Sequence, residues 1–140
     1  MEESKQSKQT PAKLPVDFRR DPEDFAVRYA NNAAFESTIW DIKITFGQTD
    51  ISLGPNVVIQ HTAITIPWPY AKVLSYLLQS QIAAREAEDG HIPFPKNILV
   101  PPLDKIPDET AATFKHPDEQ VAAVQKVWKA FVADNPELKS

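Results

Sequence analysis

Cysteine is absent from this 140-residue chain, and glycine occurs only three times. Without cysteine there is no disulfide framework, no thiolate nucleophile and no cysteine-ligated zinc or iron–sulfur site. Gly47, Gly54 and Gly90 are scattered along the chain. This spacing excludes a glycine-rich loop of the kind that cradles nucleotide phosphates.

Basic residues are also too few to favour an anionic partner. The 15 lysines and arginines are outnumbered by 19 acidic residues, so the formal charge is −4. No apolar run approaches the roughly 20 residues of a membrane helix. Residues 1–15 are polar and carry three lysines, unlike a secretory signal. We therefore expect a cytoplasmic protein that binds neither nucleic acid nor membrane.

The titratable residues do not form a recognisable catalytic set. His61, His91 and His116 lie too far apart in sequence for a local metal site. Asp41 alternates out of an apolar strand pattern, and we expect it to accept a hydrogen bond from a neighbouring strand or from Arg28. No catalytic residue, metal or cofactor is predicted. An enzyme would need an unrecognised site at Asp41 and His61, with polar groups from a second subunit.

The composition changes along the chain and predicts four segments. Residues 1–22 are polar and poor in large apolar groups, which predicts a disordered tail. Residues 23–92 carry strand and helix patterns and form the predicted core domain. Residues 93–116 form a proline-rich arm, expected to lie on a surface of its own domain or of a partner subunit. A C-terminal amphipathic helix is predicted over 117–134.

Within the core domain, period-two alternation predicts three strands. The first covers Phe25–Ala30 and the second Thr38–Phe46, in which Trp40 begins the apolar series and Gly47 ends the run. A turn over residues 50–56 then leads to a third strand over 57–66, whose polar residues blur the inward face.

A helix is predicted from Pro69 to about Glu88, because apolar residues recur there at three- and four-residue spacing. The predicted fold class is α+β. It comprises an antiparallel meander of three or more strands packed by the long helix, followed by the proline-rich arm and the C-terminal helix.

Three short motifs stand in an order typical of one family. They are Tyr29-Ala30-Asn31, Trp40-Asp41-Ile42 and Phe46-Gly47-Gln48. Over about residues 25–92 the chain resembles the bacterial family catalogued as domain-of-unknown-function 3467 (DUF3467). Members typically continue with Ser-Pro-x-His-Ala-Lys, whereas residues 67–72 here read Pro-Trp-Pro-Tyr-Ala-Lys. The resemblance implies a bacterial protein and supplies no established reaction.

A three-stranded sheet with one helix has exposed edges and an uncovered face, which pairing between copies would cover. We therefore expect a non-enzymatic, homo-oligomeric protein-interaction module. Trp128 and Phe131 fit a helix core or an interface, while Trp68 either seals the sheet's end or projects toward a partner. The alternative, from fold analogy with bacterial export chaperones, is a chaperone-like binder of unfolded chains. The candidate interaction residues are Trp68, Tyr70, Phe94, Leu99, Val100, Trp128 and Phe131.

Overall fold

The computed structural model describes residues 16–93, 99 and 101–139. The chain divides into two compact units, residues 1–71 and 72–140. The α+β class is confirmed, with a three-stranded antiparallel sheet, a long helix and a second long helix. The predicted tail falls mostly in residues 1–15, which lie outside the described part.

The elements are β1 Asn32–Ser37, β2 Asp41–Thr49, β3 Val58–Pro67, α1 Trp68–Asp89, α2 Asp108–Ala111 and α3 Pro117–Asp134, with 3₁₀ turns at Ile51–Leu53 and Pro136–Lys139.

The sheet is a meander in which β2 lies between β1 and β3. Phe35 of β1 stands opposite Ile44, which in turn stands opposite Ile64 of β3. The register shifts between Phe46 and Gly47 of β2, because their partners in β3 are Thr62 and Gln60. The intervening residue of β3, His61, is therefore the extra residue of a β-bulge.

Side chains from the three strands divide the sheet into two chemically different faces. One carries apolar residues from every strand. On the other face, Lys43 Nζ lies 2.6 Å from Glu36 Oε2. Thr65 of β3 stands opposite Lys43, and Thr45 of β2 lies on the same face. We call the first set the apolar face; it comprises Phe35, Ile42, Ile44, Phe46, Ile59, Ile64 and Ile66.

The strand predicted over Phe25–Ala30 is wrong. These residues have no strand structure, and β1 begins at Asn32. The alternating segment lacks a ladder partner, because β2 is already paired with β1 and β3. The backbone carbonyl of Tyr29 instead accepts a hydrogen bond from the His61 side chain at 2.9 Å. Alternation alone was not sufficient, since a strand also needs a neighbour.

Both predicted ends of the second strand also require correction. Trp40 precedes β2 and lies in the turn after β1, and β2 continues through Gly47 to Thr49. A Cβ atom at Gly47 would lie 2.7 Å from Val58 Cγ1 and 2.8 Å from the Ile59 carbonyl oxygen. Gly47 therefore permits close approach of β3 at the bulge instead of ending the strand.

The helices agree closely with the sequence pattern. Helix α1 begins one residue before Pro69, and α3 begins at Pro117 with Asp118 and Glu119 in its first turn. Proline suits the first turn of a helix, since its missing N–H has no intrahelical acceptor there. At the other end of α3, the Asn135 side-chain amide donates to the Phe131 carbonyl at 2.8 Å.

Part of the proline-rich arm lies against helix α3 of its own chain. The Gln125 side-chain amide of α3 donates to Asp104 Oδ1 at 3.2 Å. Pro101 and Pro102 line a shallow depression of about 300 Å³ together with Trp128. The arm also contains the four-residue helix α2, which its proline content did not predict.

Large apolar side chains remain accessible in both units. Among the described residues, Gly47 alone is buried, and no apolar side chain is. Val73, Leu77 and Ile82 are among the apolar residues that recur at three- and four-residue spacing in α1, and each is about half exposed. Within the described part of the chain, no helix is both long and apolar enough to cross a membrane.

Candidate functional site

The carboxylate of Asp41 is used by the turn between β1 and β2. Thr38 Oγ1 donates to Asp41 Oδ1 at 2.8 Å and accepts from the backbone N–H groups of Trp40 and Asp41, each at 3.1 Å. The partner is thus a threonine hydroxyl and not the Arg28 guanidinium. This arrangement closes a tight turn and stabilises the first hairpin.

His61 has both ring nitrogens engaged at the bulge. Nε2 lies 2.9 Å from the Tyr29 carbonyl oxygen, and Nδ1 lies 2.9 Å from Thr62 Oγ1. Because a carbonyl only accepts, Nε2 carries the proton, so a neutral ring accepts the Thr62 hydroxyl at Nδ1. The ring therefore holds the Tyr29 segment to β3, a structural role that occupies both nitrogens.

Asp41 and His61 do not form a common site in one chain. Asp41 stands opposite Pro67, whereas His61 lies at the bulge beside Phe46. Asp41 and Phe46 are five positions apart along β2, which is about 17 Å at the rise of a strand. A general acid and a general base must each lie within hydrogen-bonding distance of the reacting atoms of one substrate, and this separation is too large for that. Among the described residues, no group of three His, Asp or Glu side chains could hold a metal ion.

Trp68 lies where β3 passes into α1, and features of both of its predicted roles are present there. Its indole N–H donates to the Thr38 carbonyl at 3.0 Å, so the ring closes the end of the sheet. Trp68 is nevertheless 40% exposed, and its neighbour in the turn, Trp40, is 76% exposed. Tyr70, in the first turn of α1, is also exposed. The end of the sheet thus presents accessible aromatic surface.

The remaining predicted interaction residues belong to the second unit. The rings of Trp128 and Phe131 stack on α3 with centroids 6.4 Å apart, and both side chains are half-buried. Leu99 in the arm is 40% exposed. Phe94 and Val100 lie outside the described residues. Of the described members of this set, Trp128 and Phe131 thus share one surface of α3.

The apolar face includes three accessible residues that were not among the predicted candidates. Phe35 is 64% exposed, Ile59 is 47% exposed and Ile64 is 49% exposed. The bulge explains why β3 was ambiguous in sequence. Ile59 and Ile64 are five residues apart, yet both belong to the apolar face because the bulge adds one residue between them. The sequence signal for this bulge was a strand pattern in which the apolar alternation shifts once by one residue, at His61.

A shallow depression of about 530 Å³ lies where the β2–β3 turn meets the strand ends. Its acidic group, Asp50, is occupied by its own turn, since Oδ1 accepts from Ser52 N–H at 3.0 Å and from the Ser52 hydroxyl at 2.6 Å. His61, which also lines it, is engaged as described above. The Asp50 carboxylate and the His61 imidazole therefore both have hydrogen-bond partners already, and they do not form an acid–base pair in this depression.

The clearest electrostatic feature is His91, just beyond α1. Nε2 lies 2.9 Å from Glu137 Oε1 and Nδ1 lies 3.2 Å from Glu86 Oε1. The hydrogen bond to Glu137 raises the pKa of His91, partial burial opposes this, and the charges of Glu137 and Glu86 raise the pKa further. Only an imidazolium donates from both nitrogens. This arrangement connects the end of α1 to the C-terminal 3₁₀ turn.

Comparison with known proteins identified no related protein or structure. No family model matches the chain, and neither a curated protein nor a solved structure matches it. The resemblance to DUF3467 therefore stays a prediction that rests on the quoted motifs.

Proposed function

We propose that this chain is a non-enzymatic, homo-oligomeric protein-interaction module of the bacterial cytoplasm. The observation that supports it is the apolar face: seven large apolar side chains from three strands, none of them buried in the described chain. Contiguous exposed apolar surface of this kind is typical of a binding surface in a protein that stays in solution.

The energetics favour covering this face. Fully burying an isoleucine or phenylalanine side chain contributes about 1.5–3 kcal/mol, so half-exposed residues contribute roughly half as much each. Three such residues on each copy, Phe35, Ile59 and Ile64, with smaller contributions from the four less exposed residues, therefore offset much of the roughly 4–15 kcal/mol that association costs in lost freedom. The polar face, with its Lys43–Glu36 ion pair, has no such gain to offer.

Multi-angle light scattering on the full chain at tens of micromolar tests this proposal. We expect a mass of at least twice the 15.7 kDa of one chain. Phe35→Lys places a charge on the apolar face and should shift the mass toward that of one chain. Ala34→Lys is the matched control, because Ala34 is the adjacent exposed residue of β1 and belongs to the opposite face. A strictly monomeric wild-type chain would refute the proposal.

The same exposed face supports a second candidate function, a chaperone-like binder of unfolded chains. Unfolded proteins expose apolar segments that an accessible apolar face can bind. We expect wild-type chain to suppress the aggregation of a thermally unfolded client enzyme, and Phe35→Lys to lose this effect while Ala34→Lys keeps it. No suppression at stoichiometric excess would exclude this candidate.

A further inference from the structure

Within the described part of the chain, strand β3 forms an open edge of the sheet, since it pairs there with β2 alone. It is ten residues long and contains no lysine, arginine, aspartate or glutamate. Natural proteins usually protect such edges with charges, prolines or short strands. In β3 the only proline, Pro67, lies at the very end. The edge is thus long, uncharged and open to pairing.

The register shows which backbone groups of β3 point away from β2. Pairs that exchange hydrogen bonds alternate with pairs that do not along an antiparallel ladder. Asp50 N–H bonds to the Val57 carbonyl at one end, and Trp68 N–H bonds to the Trp40 carbonyl at the other. Counting inward from both ends leaves four residues whose N–H and C=O groups both face outward, with no partner among the described residues: Val58, Gln60, Ala63 and Thr65. Pro67 also faces outward but has no N–H, so it offers only a carbonyl at the end of the strand.

The spacing of these four residues is unusual because the bulge lies between them. Val58 and Gln60 are two residues apart, Gln60 and Ala63 are three apart, and Ala63 and Thr65 are again two apart. A regular strand presents outward groups at every second residue. If such a strand matched Val58 and Gln60, it would be out of register at Ala63. A partner that matches all four must carry the same irregular spacing in reverse.

We propose that this partner is a second copy of the chain, and that two β3 strands pair in antiparallel orientation around a two-fold axis passing between His61 and Thr62. These four residues are placed symmetrically about that point. Val58 then pairs with Thr65 of the partner subunit, and Gln60 pairs with the partner's Ala63. Every outward N–H and C=O of the four residues finds an acceptor or donor. The proposal rests on the proposed homo-oligomeric function and names the surface through which two copies meet.

Side chains on the apolar face support the same register. Ile59 would stand opposite Ile64 of the partner subunit, and the reverse contact follows from the two-fold symmetry. Both residues are about half exposed in one chain, and apolar cross-strand pairs stabilise sheets. The pairing also joins the apolar faces of both copies into one surface across six strands.

Charge further favours this edge as the place where two copies meet. Each chain carries a net charge of −4, so copies repel one another in general. Residues 51–71, which include all of β3, contain no acidic or basic residue apart from His61. The other edge strand, β1, carries Glu36 and would bring like charges together.

Cysteine cross-linking tests the register, since the wild-type chain has no cysteine. In the variant Gln60→Cys with Ala63→Cys, each cysteine lies opposite the other on the partner subunit. Within one chain the two are about 10 Å apart along the strand, beyond the roughly 7 Å limit for a disulfide. We expect oxidation to give a product of twice the monomer mass on a non-reducing gel. Each single variant should stay monomeric on the gel, and a mixture of the two single variants should cross-link.

A proline variant tests the edge independently. Ala63→Pro removes an outward N–H and should weaken self-association by roughly tenfold or more, because each dimer loses two hydrogen bonds. The matched control is Ala33→Pro on β1, another exposed alanine whose N–H faces away from β2 by the same counting. It should leave association unchanged, and circular dichroism should show both variants folded.

The outcomes separate this inference from the proposed function. A dimer by light scattering that neither cross-links at 60 and 63 nor weakens in Ala63→Pro would overturn the β3 pairing and leave homo-oligomerisation standing. A monomeric wild-type chain would overturn both. A monomer that binds an extended apolar peptide, and loses that binding in Ala63→Pro, would assign the edge to a foreign strand and also overturn the pairing.

Discussion

His91 lies between two glutamates, one at the end of α1 and one in the C-terminal 3₁₀ turn. The hydrogen bond to Glu137 is the main cause of its raised pKa. Because the folded pKa exceeds the ordinary value of 6.5, the bridge stabilises the fold fully below about pH 6.5. Its contribution is lost as the pH rises through the folded pKa.

We therefore expect NMR titration of the imidazole protons to give His91 a pKa above 6.5. Glu137→Gln should lower that pKa, since it removes a negative charge and leaves a weaker acceptor. Glu119→Gln is the control, because Glu119 lies 3.6 Å from a different imidazole, that of His116. A His91 pKa at or below 6.5 in the wild-type chain would contradict the bridge.

Gly47 has no room for a side chain where β2 meets the bulge of β3. In Gly47→Ala the new Cβ would contact Val58 Cγ1 and the Ile59 carbonyl oxygen at less than 3 Å. We expect the free energy of unfolding to fall by about 1–3 kcal/mol, as for other overpacked sites. Urea denaturation followed by tryptophan fluorescence would measure it.

Gly90→Ala provides the comparison for Gly47. Nothing lies within 4 Å of a Cβ at Gly90, but its φ of +87° is unfavourable for alanine. The expected loss is about 1 kcal/mol from backbone conformation alone. Equal or greater stability of Gly47→Ala would show that β3 does not approach Gly47 as closely as described.

At the scale of the element, the first hairpin depends on the hydroxyl of Thr38. That hydroxyl accepts from two backbone N–H groups and donates to Asp41. Thr38→Val keeps the shape and removes these bonds, so we expect a loss of about 1 kcal/mol. Thr38→Ser retains the hydroxyl and should stay within a few tenths of wild type. Equal destabilisation by both variants in urea titrations would show that the hydroxyl is not the cause.

The long helices were predictable because their apolar spacing and proline positions are local. Pro69 and Pro117 each mark a first turn, and Asn135 ends α3. The strands were less predictable. The alternation over Phe25–Ala30 is as regular as that of β2, but a ladder needs a partner at the correct position. The tight turn at Thr38 brings β1 against β2 and leaves no place for the earlier segment.

At the scale of the whole molecule, the proposed self-association would compete with repulsion between like-charged copies. The uncharged β3 edge and the apolar face gain nothing from ionic attraction. Raising the salt concentration from about 0.05 M to about 0.5 M shortens the screening length from roughly 13 to 4 Å. We therefore expect the dimer Kd, measured by analytical ultracentrifugation, to fall by about two- to tenfold.

The control for salt is the circular dichroism spectrum, which should be unchanged over the same range. A Kd that rises with salt would indicate an interface built on ion pairs. Lys43 and Glu36 of the polar face would then be the residues to examine, since they already form a pair in one chain.

The sequence by itself determined the class of the fold, both long helices, two of the three antiparallel strands and the absence of cysteine chemistry, because these depend on composition and local periodicity. It also located Asp41 and His61 as unusual polar residues. Only the tertiary structure decided that these two lie five positions apart along β2, and that the side chain of each already forms hydrogen bonds.

The bulge was likewise decided only in three dimensions. An extra residue in β3 is visible when the register with β2 is known, since His61 has no partner between Gln60 and Thr62. It returns Ile59 and Ile64 to one face and sets the spacing of the open edge. Periodicity is a property of one segment, whereas register is a property of two strands that meet in space, and therefore the edge could not be read from the sequence alone.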